Sequence, residues 1–177
     1  MGVVYKNLEL VSKAELLYTR ALGLSEKLLG LEHPTTTILM NNLAGCYQDL
    51  GIDSKAETLY LRALTIFEKT LGPEHPQLQY PLNNLAYIYS GQKSYGKAES
   101  LLQRSLEIRK KTFGVEHPST ALGYARLAGL YTRQSLYSKA EPLYLRALAI
   151  LEKTVGLEHP TTGTTLQNLA VLYGDQR

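Results

Sequence analysis

Apolar residues return along the chain at helical intervals. Leu82, Leu85, Ala86 and Tyr89 fall at i, i+3, i+4 and i+7, which makes one apolar stripe. Ala98, Leu101, Leu102, Ser105, Leu106 and Ile108 make a second. Gly91 predicts the end of the first helix, and Ser94 or Tyr95 the start of the next. Pro76 suits the opening turn, where a missing N–H costs no helical bond. Gly114 closes the second helix, as Gly30, Gly72 and Gly156 close its equivalents, because glycine takes the left-handed conformation that satisfies the last carbonyls. No alternating β-branched run flanks a hairpin turn, so the predicted fold class is all-α.

The helix pair is periodic. His-Pro recurs at His33, His75, His117 and His159, in steps of 42 residues. Lys-Ala-Glu recurs at Lys13, Lys55, Lys97 and Lys139, and a tyrosine at Tyr5, Tyr47, Tyr89, Tyr131 and Tyr173. Strict spacing predicts a solenoid of identical modules in one array. Its divisions are a partial repeat over 1–33, repeats over 34–75, 76–117 and 118–159, and the first helix of a further repeat over 160–177. Small residues at Ala14, Ala56, Ala98 and Ala140, and seven residues later at Ala21, Ala63, Ser105 and Ala147, allow helix axes to approach to about 8–10 Å. Ten of the 13 tyrosines occupy repeated packing positions. Tyr80, Tyr87 and Tyr124 do not. Tyr124 takes the slot of Met40, Leu82 and Leu166 and is expected to pack. Met1 falls midway through a first helix and Arg177 near the end of another, without capping helices. Arrays need such caps for solubility, so an excerpt of a longer protein is expected, with self-association through its uncapped ends.

The string Asn83-Asn84-Leu85-Ala86-x-x-Tyr89, then Tyr95-x-x-Ala98-Glu99, then Leu102-x-x-Ser105-Leu106-x-Ile108 resembles a tetratricopeptide repeat (TPR). The extension from Glu68 to Pro76 lengthens the unit and is similar to that of kinesin light chains. The resemblance implies a right-handed superhelical solenoid of antiparallel helix hairpins, and adaptor or scaffold work.

Opposite the packing stripe of the first helix runs a second ridge of Tyr80, Asn84, Tyr87 and Gly91. Its equivalents are Ile38, Asn42, Gly45 and Asp49, then Leu122, Arg126, Gly129 and Arg133, then Thr164, Asn168, Val171 and Asp175. The resemblance implies that this ridge lines a concave groove that holds extended peptides. An asparagine amide answers both the N–H and the C=O of an extended backbone. Asn42, Asn84 and Asn168 would form a ladder, which Arg126 interrupts. Arg126 and Arg133 make a cationic patch suited to a carboxylate. Tyr80 and Tyr87 add rigid amphipathic contact area. The candidate peptide-binding residues are therefore Asn42, Tyr80, Asn84, Tyr87, Arg126, Arg133 and Asn168. The expected function is a non-catalytic protein-interaction module for an extended, acidic peptide. The alternative is a structural or sensor segment of a larger signalling protein, with no peptide in the groove.

Composition narrows the partners. Hydrophobic residues make up 44% and charged residues 20% of the 177, as in ordered soluble domains. Uncharged stretches such as Pro34 to Gln48 are broken by Thr, Asn and Gly, so no membrane span is expected. The N-terminus lacks the pattern of a signal peptide. A single cysteine, Cys46, fits a reducing compartment, and a cytoplasmic location is expected. A net charge of +3 is too mild to point to nucleic acid. The four histidines share one repeat position, roughly 16–20 Å apart at usual helix spacing, whereas zinc needs ligands at about 2 Å. No metal site is expected; each His is expected to shape the turn before its proline. No nucleotide-loop, nucleophile-elbow or zinc-protease motif occurs, so neither catalysis nor a cofactor is expected. Arg20, Arg62, Arg104 and Arg146 are expected to pair along their own helices with residues such as Glu57 and Glu68.

Overall fold

The computed structural model describes residues 2–176, with side chains from residue 8 onward. Met1, Arg177 and the Tyr5 side chain lie outside the described residues. The described residues form α1 (Gly2–Leu28), α2 (Pro34–Asp49), α3 (Asp53–Leu71), a 3-10 turn (Pro76–Leu78), α4 (Gln79–Gly91), α5 (Tyr95–Phe113), α6 (Pro118–Arg133), α7 (Tyr137–Thr154) and α8 (Pro160–Asp175). None of them is in a strand. Two compact units are present, Met1–Ile88 and Tyr89–Arg177. In the first, α1 packs on α2 and α2 on α3; in the second, α5 packs on α6, α6 on α7 and α7 on α8.

Each His-Pro pair opens a helix by the same device. The His is the N-cap, and its Nδ1 accepts the backbone N–H two residues on: Thr35 at 3.2 Å, Gln77 at 3.3 Å, Ser119 at 3.0 Å and Thr161 at 3.3 Å. Serine or aspartate usually does this. Here an imidazole nitrogen satisfies one otherwise unpaired N–H, and proline at the next position has none to satisfy. A threonine two residues after the proline ties the helix to the preceding loop glycine. Thr36, Thr120 and Thr162 donate to the carbonyls of Gly30, Gly114 and Gly156 at 2.9, 2.7 and 2.8 Å.

The structure corrects two of the predicted helix boundaries. The helix expected to run from Pro76 opens as a 3-10 turn, and α4 proper begins at Gln79. Leu78 stands where the other units have the tying threonine, and Pro81 has no N–H to give to the carbonyl of Gln77. The partial first repeat also lacks a hairpin. Its helices are fused into the single 27-residue α1. Elsewhere the turn uses a left-handed residue, Gly51 (φ 73°), Lys93 (φ 59°) or Ser135 (φ 57°). The equivalent in α1 is Glu9, which stays helical.

The Lys-Ala-Glu motif does three separate jobs. Ala56, Ala98 and Ala140 are completely buried and let neighbouring helices close in. The Lys places its ammonium over the tyrosine of its own hairpin, at 5.0 Å for Lys55 on Tyr47, 5.2 Å for Lys97 on Tyr89 and 5.4 Å for Lys139 on Tyr131. The Glu accepts the hydroxyl of the tyrosine 32 residues on, in the next unit: Tyr47 to Glu15 at 3.1 Å, Tyr131 to Glu99 at 2.7 Å, Tyr173 to Glu141 at 2.7 Å. Each such bond is charge-assisted.

Loop carboxylates meet second-helix cations. Glu32 pairs with Lys69, and Glu116 pairs with both Arg146 and Lys153. Arg62 reaches Glu26 on α1 at 3.1 Å. Arg62 and Arg146 thus bind other elements, not their own helices as expected from the sequence, because their rows face the preceding unit.

Candidate functional site

The first unit carries Asn42 on α2 and Tyr80, Asn84 and Tyr87 on α4. The packing stripe of α4 is sealed, with Leu82, Leu85 and Ala86 at most 1% exposed. Across the helix, Tyr80 is 64% and Tyr87 57% exposed. Asn42 is exposed and Asn84 half-buried. The sequence-derived ridge is thus open to solvent around one partly sunken amide.

Beneath that amide lies a residue the sequence reading assigned to packing alone. Tyr60, on α3, is 1% exposed. Its hydroxyl donates to Gln48 Oε1 at 3.2 Å and accepts from the Asn84 side chain. Burial pushes this phenol up to about 12, and the Asn84 bond partly offsets that rise by favouring the phenolate. Gly45, on the ridge of α2, lies beside it: a Cβ there would stand in ordinary contact, 3.6 Å from the Tyr60 hydroxyl. Tyrosine then asparagine 24 residues later recurs at Tyr18/Asn42, Tyr60/Asn84 and Tyr144/Asn168, but only the middle pair interacts, so the offset is not by itself a signal of the contact.

The second unit carries Arg126 and Arg133 on α6 and Asn168 on α8, all three exposed. Arg126 has no hydrogen bond or ion pair among the described residues, and desolvation by surrounding protein lowers its guanidinium from the ordinary value. Exposure and desolvation coexist where protein atoms crowd around a side chain without covering it. That leaves an accessible, uncompensated cation. In this unit Tyr144 is 3% exposed, lies against the Thr132 hydroxyl, which itself donates to the Ala128 carbonyl at 3.1 Å, and has Gly129 in the position of Gly45. Tyr124 behaves as expected. It is half-buried against Ala121, Ala147, Ile150 and Leu151, with the Lys110 ammonium 5.5 Å from its ring. Leu166, in the same repeat position, is 41% exposed because no second helix covers that side of α8 among the described residues.

Cys46 is buried, and burial first, then Asp49 and Glu15, raise its pKa, so it is a thiol with little nucleophilic character. Among the described residues no group of three or more His, Cys, Asp or Glu could hold a metal ion. None of their helices is long and apolar enough to cross a membrane.

Solved structures share this arrangement. Nearly identical TPR-like repeats ascribed to a kinesin light chain of Podosopora anserina superpose with a TM-score of 0.81 at 28% identity, covering 99% of this chain and 85% of that one. A second structure of those repeats gives 0.79 at 29% identity, with the same coverage. BtubC (BKLC) from P. vanneervenii gives 0.81 at 28% identity over 93% of this chain and 65% of its own. No curated protein matches the chain in sequence. The tetratricopeptide repeat family profile matches residues 1–69, 53–111, 78–153 and 119–177, every part of the sequence. With its hairpins, His-Pro caps and all-helical TPR solenoid fold, the chain belongs to the tetratricopeptide repeat family, whose members are protein-interaction modules.

Proposed function

We propose that the chain is a non-catalytic adaptor that holds an extended peptide against the exposed ridges of its first helices, with acidic side chains of the peptide meeting Arg126 and Arg133. The observation that carries this reading is Arg126. A desolvated cation with no partner in the fold is a standing cost, and an external carboxylate would relieve it through a forked, charge-assisted contact. The first unit supports a complementary mode. Asn42 and Asn84 offer paired donors and acceptors to a peptide backbone, and Tyr80 and Tyr87 flank Asn84 with apolar area. The kinesin light chain character of the Podosopora repeats favours adaptor work over a sealed structural role.

Titration with a blocked peptide of alternating Gly and Glu tests the proposal. Binding should weaken as salt rises, fall several-fold in Arg126→Gln, and fall again in the Gly-Gln counterpart of the peptide. If neither peptide binds and the Arg126 and Asn84 variants behave as the parent, the ridge takes no peptide and a purely structural array is the correct description.

A further inference from the structure

Cations on the second helices have fixed partners inside the chain, and α1 keeps the cations without the partners. Arg62 reaches Glu26 at 3.1 Å, Lys69 pairs with Glu32, and Glu116 holds both Arg146 and Lys153. On α1, Arg20 and Lys27 occupy the positions of Arg62 and Lys69. Both are exposed, and neither has a hydrogen bond or ion pair among the described residues. Carboxylates in the matching state lie towards the other end of the sequence. Glu152 and Glu158 are the counterparts of Glu26 and Glu32, and they too are exposed and unpaired among the described residues.

Apolar residues divide in the same way. Between α2 and α3, Met40 and Ile66 share one buried cluster, with Tyr47 and Leu59 packed against it. Their counterparts are Leu17 and Leu24 on α1, and Leu166 and Tyr173 on α8. Leu24 is 52% exposed where Ile66 and Ile150 are 8% and 0%, and Leu166 is 41% exposed where Met40 is fully buried. Because α1 runs straight through the turn position at Glu9, residues 2–9 do not fold back over its leucines. α1 and α8 thus each present one half of an interface that α2 and α3 complete within the first unit. We propose that the leucine face of α1 receives α8 of a second copy of this chain, head to tail. Leu24 then meets Leu166, Lys27 meets Glu158, and Arg20 lies by Glu152 and Glu158, in the register of the pairs already formed inside each unit. Charge selects this pairing over the alternative. Two copies joined through α1 alone would set Arg20 and Lys27 against the same cations, whereas α8 and the residues leading into it bring carboxylates to both. The contact uses a different face on each copy, so it leaves one of each face open and can propagate.

Sedimentation velocity of the 177-residue chain over a concentration series tests the contact. The sedimentation coefficient should rise with concentration, and less steeply as salt screens the charged pairs. Leu24→Arg and Leu166→Arg each alter an exposed side chain, so helical circular dichroism should be kept. Each variant alone should associate about tenfold more weakly than the parent. Mixed in equal amounts, the two should form a two-chain species and nothing larger, because each retains the face that the other has lost. Lys27→Glu should weaken association, and Glu158→Lys added in the same chain should restore it. Should either leucine variant unfold, this charge exchange carries the test by itself. A parent that stays monomeric at every concentration would overturn the proposal and leave these faces to a different partner. Association untouched by Leu166→Arg would overturn it in favour of α1 pairing with itself. A loss in Lys27→Glu that Glu158→Lys does not recover would overturn the head-to-tail register.

Discussion

The two units are assembled from one module yet differ where they meet solvent. In the first, the ridge slot at Asn84 sits on a buried hydroxyl and is flanked by two exposed tyrosines. In the second, the corresponding slot is Arg126, with Leu102 in the position of Tyr60 and no partner for its charge. The caps and clasps that hold the backbone do not depend on the ridge, so the surface is free to vary.

Truncating Tyr60 and Leu102 probes the difference most severely. Tyr60→Ala should destabilise the first unit by about 3–5 kcal/mol and Leu102→Ala the second by about 2–5 kcal/mol, both read as loss of urea resistance. Only the former should also loosen a ridge side chain, Asn84. Equal mobility of Asn84 before and after Tyr60→Ala would dissolve the contrast. A narrower test lies in the second unit. A Cβ at Gly123 would stand 2.8 Å from Leu106 Cδ1 and 3.2 Å from Arg109 Cδ. Arg109 is itself buried, donating to the Ser119 carbonyl at 3.0 Å and hydroxyl at 2.6 Å. Gly123→Ala should therefore cost about 1–3 kcal/mol by overpacking. Gly45→Ala, with only the Tyr60 hydroxyl at 3.6 Å, should cost less. The reverse order of the two would show that the second unit yields more readily than its packing implies.

Alkaline titration compares the buried hydroxyls themselves. Tyr60 in the first unit and Tyr131 in the second are each pushed up to about 12, chiefly by burial. A raised phenol favours the folded state below its unfolded value of 10.0. That stability is lost as pH climbs from 10 towards 12, because the unfolded chain releases the proton first. Phenolate absorbance should show these two ionising late. Asn84→Ala should delay Tyr60 further, since the amide bond favours its phenolate. Glu99→Gln should bring Tyr131 down, since the carboxylate opposes ionisation. Unchanged titration in either variant would contradict the bonding described. The smallest effect is expected for Arg126→Met. Removing an uncompensated, desolvated charge should leave thermal stability equal or raised by up to about 1 kcal/mol, while Gly-Glu peptide binding falls. A clear loss of stability would mean that Arg126 supports the fold.

Much of this architecture is legible in the chain because a repeat states each rule several times. The four His-Pro pairs mark helix starts, and Gly30, Gly72, Gly114 and Gly156 adopt positive φ of 88–93°, although Gly72 and Gly114 combine it with an extended ψ of 160° and 162° instead of the left-handed helical cap expected. Features resting on a single substitution are harder to read. The fusion of α1 depends on Glu9 standing where a turn needs a left-handed residue, and the 3-10 opening at Pro76 depends on Leu78 and Pro81. Helical periodicity is blind to both, since glutamate and leucine suit a helix as well as their neighbours do. On the ridge, the exposure of Tyr80, Tyr87 and Arg126 follows from the helical wheel. The support of Asn84 by Tyr60 does not, because it joins two helices and a stripe count treats every tyrosine as an apolar filler.

The clasp from each Glu of Lys-Ala-Glu to the tyrosine 32 residues on has an evolutionary corollary. Acceptor and donor sit in every module at fixed places. An in-frame duplication of any 42 consecutive residues therefore creates a seam already furnished with both halves. Such a chain grows by copying, with no new contact to invent, and each added copy arrives with one ridge slot free to acquire its own specificity.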